Sequence, residues 1–338
     1  MEKRKVQITG GSTFMVTLPK HWAENVGLQA GTEVSMIKMP PNLMVLRPEI
    51  GDDVLTRSGR MNVDDKDGEN LVRSVISFYI AGYEVLKIEG DPISSKQRST
   101  IRKVTQSLIG PEIIEESSNQ VVIRNLSDLS ELSITETLSR IHQISRSMFK
   151  DAIKALLDFN KELALDVEDR DDDVDRLFLA ISRRFRVMLF DIIEKSDEKI
   201  SRVEYFDYQR AAKQLERIAD HSKKIASIIA SMEIEISEEI ASKIENSAKE
   251  AIELVDKSIV SLTKKDIDLA NRTLSMATKV DEDLLKLNGT LRNLDPSSSQ
   301  KLGIVTDSID RVKEYGINIA ETALNSSCPM PGTDSQMS

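Results

Sequence analysis

Two stretches of this chain repeat one pattern: residues 215–226 read LERIADHSKKIA, and residues 309–320 read IDRVKEYGINIA. In each copy an acid is followed directly by Arg, a second acid comes four residues after the first, and isoleucine and alanine residues complete an apolar stripe. An internal duplication constrains the fold of everything between its copies, because each copy is part of one repeated structural unit.

The similarity extends upstream without gaps. When Ala152 is aligned with Ser258, Val174-Asp175 falls over Val280-Asp281. The alternative is that long amphipathic helices resemble one another by their apolar period alone. The matching acids and the acid-Arg pair lie outside the apolar stripe, so we infer two homologous helical units in the second half of the chain.

Composition and periodicity favour a mainly helical protein. The 338 residues are too many for one ordinary core, and only 4% of them are aromatic. From about Ser133 to Asn325 the pattern is almost continuously helical, with loops indicated near residues 160, 196–204, 232–237, 264–266 and 295–299. We predict six helices in two tandem three-helix bundles, at 128–234 and 235–326, followed by a disordered tail at 327–338. The third helix carries a heptad-like seam of Leu215, Ile218, Ser222, Ile225, Ile229 and Met232.

The charge balance limits any contact with nucleic acid. The formal net charge of −10 argues against a protein that coats nucleic acid with most of its surface, because neutralising phosphate requires a basic field. Residues 1–50 carry six lysines and arginines against four acids, a net charge of +2. Any contact with nucleic acid is therefore expected in this N-terminal part.

Cysteine content and hydropathy bear on the compartment. The single cysteine, Cys328, excludes an intramolecular disulfide and fits a reducing environment. The first residues lack the apolar stretch of a signal peptide, and no run approaches the roughly 20 apolar residues that cross a bilayer. We expect a cytoplasmic protein without a transmembrane segment.

Residues 4–49 alternate as short strands around one short helix. Pro19 begins the helix and Gly27 ends it. Strands are expected at 4–9, 13–18, 32–39 and 43–46, with a turn at Gly10-Gly11. Because fewer than 50 residues of thin hairpins bury little surface alone, we expect a second copy to complete the module.

This module resembles the AbrB/MazE/SpoVT swapped-hairpin family in the motif Leu18-Pro19-Lys20-x-Trp22, followed by Val26-Gly27-Leu28-x-x-Gly31-x-x-Val34. The resemblance implies a homodimer through residues 1–50 whose chains interleave their hairpins and whose basic N-terminal strand faces DNA. By position, the candidate DNA contacts are Lys3, Arg4, Lys5, Thr13, Lys20 and His21. The alternative is a module that only dimerises the chain, because three leading basic residues per subunit make few phosphate contacts.

Residues 51–127 are expected to form a small α+β spacer or interaction module. An acidic, polar stretch from Gly51 to Glu69 is typical of a linker. The pattern then predicts a helix at 70–81, a strand at 84–88, a helix capped by Ser94 or Ser95 that ends near Ile109, and a hairpin that pairs 112–116 with 120–124.

Two pairs of acids in the first helical unit are spaced by four residues, which places both members of a pair on one helix face. They are Asp171 with Asp175, and Glu216 with Asp220. If the two helices are antiparallel, the pairs meet as four carboxylates. Such oxygen ligands suit Mg, Mn or Ca, and Fe when they bridge it. The alternative is a solvated face, since neither pair lies on the apolar seam.

These acids carry a second resemblance. Asp171-x-x-x-Asp175-Arg176-Leu177 together with residues 215–221, echoed in the second unit, is similar to the pattern of the PhoU family of phosphate-transport regulators. The resemblance implies two three-helix bundles, each with a metal cluster on its surface. Fe, Mn, Mg, Zn and Ca are the candidate metals. The resemblance also implies a phosphate ABC transporter and an associated signalling protein as partners.

The second unit departs from this pattern. Asp281 matches Asp175, but Ala277 stands where the first unit has Asp171. The last pair is Asp310 and Glu314, with the two acid types in reversed order. With one ligand fewer, this set offsets less of the dehydration of a cation, so we expect weaker metal binding there.

The sequence thus indicates a phosphate-uptake regulator, a DNA-binding transcriptional regulator with a PhoU-like sensory region, and not an enzyme. One alternative is an interaction protein that does not bind DNA and inhibits a phosphate ABC transporter. The other is a metal-dependent hydrolase built on the acids. Against the hydrolase, no general base or nucleophile is identifiable beside the acids.

Overall fold

The structure is a computed structural model that describes residues 2–39, 42–48, 57–127, 133–190, 200–229 and 236–328. The described residues fall into two compact units, one up to residue 48 and one from Arg57 to Cys328. The tail predicted at 327–338 lies outside the described residues beyond Cys328.

The N-terminal unit consists of two hairpins and a short helix. Strand β1 (Gln7–Thr9) pairs antiparallel with β2 (Thr13–Met15), helix α1 spans Lys20–Asn25, and β3 (Val34–Met39) pairs antiparallel with β4 (Leu43–Pro48). These are the predicted elements, but β1 and β2 are shorter than predicted, because their pairing ends at Gln7 opposite Met15. None of the residues described in this unit is buried.

Residues 57–127 form a four-stranded sheet with two helices. The elements in chain order are β5 (Ser58–Asn62), α2 (Gly68–Ile80), β6 (Val85–Glu89), α3 (Ser95–Gln106), β7 (Pro111–Glu116) and β8 (Gln120–Asn125). The strand order is β5-β6-β8-β7, and only the β5-β6 pair of this sheet is parallel. Ser94 caps α3 as predicted, and side chains of both helices share a core with the sheet.

Strand β5 corrects the predicted linker from Gly51 to Glu69. Its five residues include one large apolar residue, Met61, so the alternation is too weak to signal a strand. The structure buries Met61 and Gly59, and a Cβ added at Gly59 would lie 2.8 Å from Phe78 Cε1. Glycine thus allows the α2 side chain to pack directly on β5. Residues 51–56 of the predicted linker lie outside the described residues.

Six helices account for most of the described residues from 133 to 328, as predicted: α4 (Ile134–Leu157), α5 (Lys161–Phe190), α6 (Arg202–Ile229), α7 (Glu238–Lys264), α8 (Ile267–Leu291) and α9 (Pro296–Ser326). The loop predicted near 295–299 exists but lies earlier, at 292–295, because Asp295 caps α9 and Pro296 occupies its first turn. The loops predicted at 196–204 and 232–237 lie partly outside the described residues.

The six helices share one hydrophobic core. Helices α4, α5 and α6 pack together, as do α7, α8 and α9, and the two groups meet where α6 packs on α9 and α4 on α7. The predicted seam of α6 is buried at Leu215, Ile218, Ser222, Ile225 and Ile229. The mainly helical fold class is confirmed. Within the described ranges no helix combines the length and apolarity needed to cross a membrane.

The two helical units differ in one length, so the gapless alignment is wrong. Asp281 follows Asp175 by 106 residues, whereas Asp310 follows Glu216 by 94. Helix α5 has 30 residues and its counterpart α8 has 25. The first unit is therefore longer at the end of α5 and in the stretch between Phe190 and Arg202.

Candidate functional site

Helices α5 and α6 run antiparallel, as contacts along their length indicate. Lys223, near the end of α6, bonds to Asp171 of α5, whereas Arg184, later in α5, lies over the ring of Tyr205 at the start of α6. The charges on the facing turns act on one another. The structure therefore brings together all four predicted acids of the first set: Asp171, Asp175, Glu216 and Asp220.

Two of these acids are buried, which corrects the alternative of a fully solvated face. Asp171 is 5% exposed and Glu216 is 9% exposed. Lys223 Nζ donates to Asp171 Oδ2 at 2.8 Å, and Lys213 Nζ donates to Glu216 Oε1 at 2.5 Å. Among the described residues, Asp171 Oδ1 and Glu216 Oε2 have no hydrogen-bond partner. Buried oxygens are normally satisfied, so these two can accept a further donor or cation.

Burial and the neighbouring negative charges raise the pKa values of the other two acids, Asp175 and Asp220. Burial, followed by the charges of Asp171, Glu216 and Asp220, raises the pKa of Asp175 to about 7. Burial, followed by the charges of Glu216 and Asp171, raises the pKa of Asp220 to about 6. The set therefore retains protons that isolated carboxyls would lose. A cation that replaced those protons would relieve the repulsion.

The donor chemistry of the first set fits a hard cation, although the ligands are not gathered into a shell. Among the described residues, no three acid, histidine or cysteine side chains lie close enough together to hold a metal ion. All four side chains nevertheless offer oxygen, and two of the buried oxygens are without a partner. Lys213 and Lys223 offset part of the negative charge.

The second set is organised around a lysine. Lys313 of α9 is 3% exposed, and its Nζ donates to Asp281 of α8 and to Asp310 Oδ1 at 2.8 Å, and lies 3.0 Å from Glu314 Oε1. Burial lowers the pKa of Lys313, but its bonds to these acids raise the pKa by more. The pKa of Lys313 therefore lies above the usual value of a lysine. The predicted acids of the second set are thus brought together around an ammonium group. Ala277 is buried and contributes no fourth carboxylate.

Sequence reasoning missed Lys313, although the duplicated pattern contains its signal. Lys313 aligns with Ala219, which is fully buried in the apolar stripe of α6. A lysine at a buried position requires acids as partners, because an unpaired buried ammonium is strongly destabilising. Comparing the two copies position by position would have singled out this residue.

Two histidines link the two helical groups. His221 Nε2 lies 3.3 Å from Tyr315 Oη, which links α6 to α9. His142 Nε2 lies 2.8 Å from Asp256 Oδ1, and Arg146 Nε donates to Asp256 Oδ2 at 2.8 Å, which links α4 to α7. The sequence alone left both histidines without a role. The structure assigns them to packing between the groups.

The six candidate DNA contacts are all exposed: Lys3, Arg4, Lys5, Thr13, Lys20 and His21. Arg4 pairs with Glu2, and Lys20 Nζ lies 3.6 Å from Glu24 Oε1. Acids therefore offset two of the four lysine and arginine charges in this set. The basic surface is weaker than the sequence alone indicates.

The same unit exposes large apolar side chains. Phe14 is 74% exposed, Met36 67%, Ile8 65% and Val6 62%. Ile8 and Phe14 lie opposite each other in the β1–β2 pair, and exposed apolar patches mark interaction surfaces. The N-terminal unit therefore carries a surface suited to another protein chain.

Comparison with known proteins agrees with both resemblances. The PhoU domain profile matches residues 138–229. The profile of MazE, a bacterial antitoxin, described as antidote-toxin recognition, matches residues 7–52. No curated protein matches the sequence significantly. The two predicted resemblances are thus confirmed for these stretches.

Solved structures share the helical fold. PhoU from Pseudomonas aeruginosa superposes with a TM-score of 0.52 at 20% identity, over 58% of this chain and 95% of that chain. The phosphate transport system regulatory protein PhoU from Streptococcus pneumoniae superposes with a TM-score of 0.50 at 16% identity, over 56% of this chain and 91% of that chain. At these identities the likeness establishes the fold.

Replacing Asp175 by Asn should stabilise the metal-free protein at pH 8 and much less at pH 5. A carboxyl whose pKa rises from 3.8 to about 7 on folding stabilises the folded state below about pH 4, and this contribution is lost as the pH rises to 7. The amide removes the repulsion that remains at pH 8, a gain on the order of 1 kcal/mol after solvent screening.

Urea unfolding followed by circular dichroism would measure this difference. Asp169→Asn, an exposed change two residues before Asp171 on the same helix, is the matched control and should alter stability little at either pH. Equal stabilisation by Asp175→Asn at both pH values would contradict the raised pKa.

Proposed function

Because this chain carries a PhoU domain behind a MazE-like segment, we propose that it is a regulator of phosphate uptake that binds DNA as a homodimer. The observation that carries this proposal is the presence of both matched segments, residues 138–229 and 7–52, in one chain. The helical unit would sense a metal-linked or partner-linked state, and the N-terminal unit would bind DNA. The role is regulatory and not enzymatic.

The proposed dimer rests on the surface of the N-terminal unit. Its described residues include none that is buried, while Ile8, Phe14 and Met36 are largely exposed. A second copy that presents the same apolar side chains would bury them in a symmetric interface. Interleaved hairpins, as in the swapped-hairpin family, would supply the core that one copy lacks.

DNA binding rests on the leading basic residues Lys3, Arg4 and Lys5, with Thr13, Lys20 and His21 as further contacts. A dimer doubles this set and so provides six leading positive charges. The alternative is favoured by the ion pairs of Arg4 with Glu2 and Lys20 with Glu24. In that case the N-terminal unit only dimerises, and the helical unit inhibits a phosphate ABC transporter directly.

We assign a metal ion of the Fe, Mn, Mg, Zn or Ca class to the first acid set. Asp171, Asp175, Glu216 and Asp220 would hold it, and the unpartnered Asp171 Oδ1 and Glu216 Oε2 support this assignment. When bound, the cation would neutralise the acids of both helices. The chain's own contribution is to hold two buried carboxylates, Asp171 and Glu216, beside the more exposed Asp175 and Asp220 on facing turns of α5 and α6.

The further partners that fit a PhoU-type helical unit are a phosphate ABC transporter and its signalling protein. The S. pneumoniae relative is described as a phosphate transport system regulatory protein. We propose that the helical unit contacts such proteins on the cytoplasmic side.

A Phe14→Glu variant should form a smaller oligomer than the wild type, as should a chain that lacks residues 1–50. The charge would have to be buried in the proposed interface without a partner. Light scattering would give the masses. Leu285→Glu is the control, because Leu285 of α8 is also 74% exposed but lies outside the N-terminal unit. An unchanged mass for both altered chains would remove the argument for this dimer.

DNA affinity should fall steeply with salt and should be carried by the leading basic residues. Six phosphate contacts give a slope of roughly −5 for the logarithm of affinity against the logarithm of salt concentration. Anisotropy titrations on genomic fragments would compare the wild type with Lys3/Arg4/Lys5→Ala. The control, Lys249/Lys264/Arg272→Ala, removes three exposed charges from the helical unit. A flat salt dependence, or no binding at low salt, would favour the transporter-inhibiting alternative.

Metal should stabilise the wild type and Asp281→Asn, and should stabilise Glu216→Gln much less. A ligand at 100 times its dissociation constant adds about 2.7 kcal/mol, and the increment should be larger at pH 7.5 than at pH 5 because the acids must lose protons. Thermal melting with added Mn²⁺ or Fe²⁺ would measure it. An equal response of all three proteins would return the acids to a merely structural role.

A further inference from the structure

Lys313 differs from the lysine of an ordinary surface ion pair because it is buried and has three acid partners. Lys313 is 3% exposed and follows the fully buried Val312 in α9, yet its Nζ contacts three acids. Its three acid partners are about half exposed, whereas the lysine itself is buried. The carboxylates therefore close over the ammonium from the solvent side, and they come from two helices, α8 and α9.

The equivalent position in the first unit is Ala219, which brings no charge. The first set instead takes its lysines from the edges, where the side chains of Lys213 and Lys223 are 39% and 45% exposed. Those lysines align with Asp307 and Ile317 in the second unit. The first unit thus has two peripheral lysines beside its acids, whereas the second unit has one central, buried lysine.

We propose that Lys313 is the built-in cation of the second acid set and excludes a metal ion from it. The Nζ atom contacts all three acids that a metal would need, and a divalent ion could bind them only by displacing a buried ammonium from its partners. This inference deepens the proposed metal site by confining metal to the first unit. The second unit then folds and keeps its shape without metal.

The test is a calorimetric titration of the full chain with Mn²⁺, together with melting in the presence and absence of Mn²⁺. The wild type should bind no Mn²⁺ at the second set, so Glu216→Gln should abolish any binding that the wild type shows. Lys313→Met keeps the apolar stem and removes the charge. It should melt at a lower temperature without metal and gain one Mn²⁺ per chain relative to the wild type.

Two controls isolate the position of the charge. Lys313→Arg keeps the positive charge and should gain no Mn²⁺. Lys279→Met removes an exposed lysine that pairs with Glu250 on the same helical group, and it should leave the Mn²⁺ stoichiometry unchanged. If Lys313→Met does not fold alone, it is refolded with Mn²⁺; recovery supports the inference, and failure to recover overturns it.

The outcomes separate this inference from the metal proposal. Binding of two Mn²⁺ by the wild type, or a folded Lys313→Met chain that gains none, would overturn the role of Lys313. A wild type that binds none, with a Lys313→Met chain that binds one, would leave Lys313 in its role and reject metal at the first set.

Discussion

A carboxylate packed beside a hydrophobic core is destabilising unless a positive charge pairs with it, and both helical units place lysines beside their acids. In the first unit Lys213 and Lys223 each bond one oxygen of a buried acid and leave the other oxygen without a partner. In the second unit Lys313 contacts three acids from within. One helical scaffold therefore carries two different charge arrangements, and only the first leaves buried oxygens open at the set itself.

The third helices of the two units bring these sets close to a shared contact. His221 directly follows Asp220 on α6, and Tyr315 directly follows Glu314 on α9. These two residues meet across the α6–α9 packing, where Arg217 also lies over the Tyr315 ring at 5.7 Å. Each acid set is thus one residue away from the same interface. Adjacency alone does not make a switch, but it supplies the contiguous packing that coupling between the sets would use.

The sequence was a good guide where long apolar periods decide the structure. The six helices, the α6 seam and both N-terminal hairpins follow from periodicity and turn residues. Strand β5 escaped because a strand with one large apolar residue has almost no pattern. Helical spacing also predicted that Asp171, Asp175, Glu216 and Asp220 could meet if α5 and α6 were antiparallel, as they are.

Spacing along one helix could not predict burial or counter-charge, since both depend on neighbouring helices. Asp171 and Glu216 lie off the apolar seam, yet the packing of α5 on α6 buries them. Lys313 joins α9 to Asp281 of α8, a contact that no local pattern encodes.

If metal acts only on the first unit, its effect on the rest of the chain must be transmitted through α5 or α6, the helices that carry the acids. Helix α5 carries Asp171 and Asp175, and it also contacts the end of α2. Buried Arg183 donates to the carbonyl oxygens of Tyr79, in the last turn of α2, and of Tyr83, just after it, at 2.6 and 2.9 Å. The spacer of residues 57–127 is therefore bonded, at the end of α2, to the helix on which metal would act.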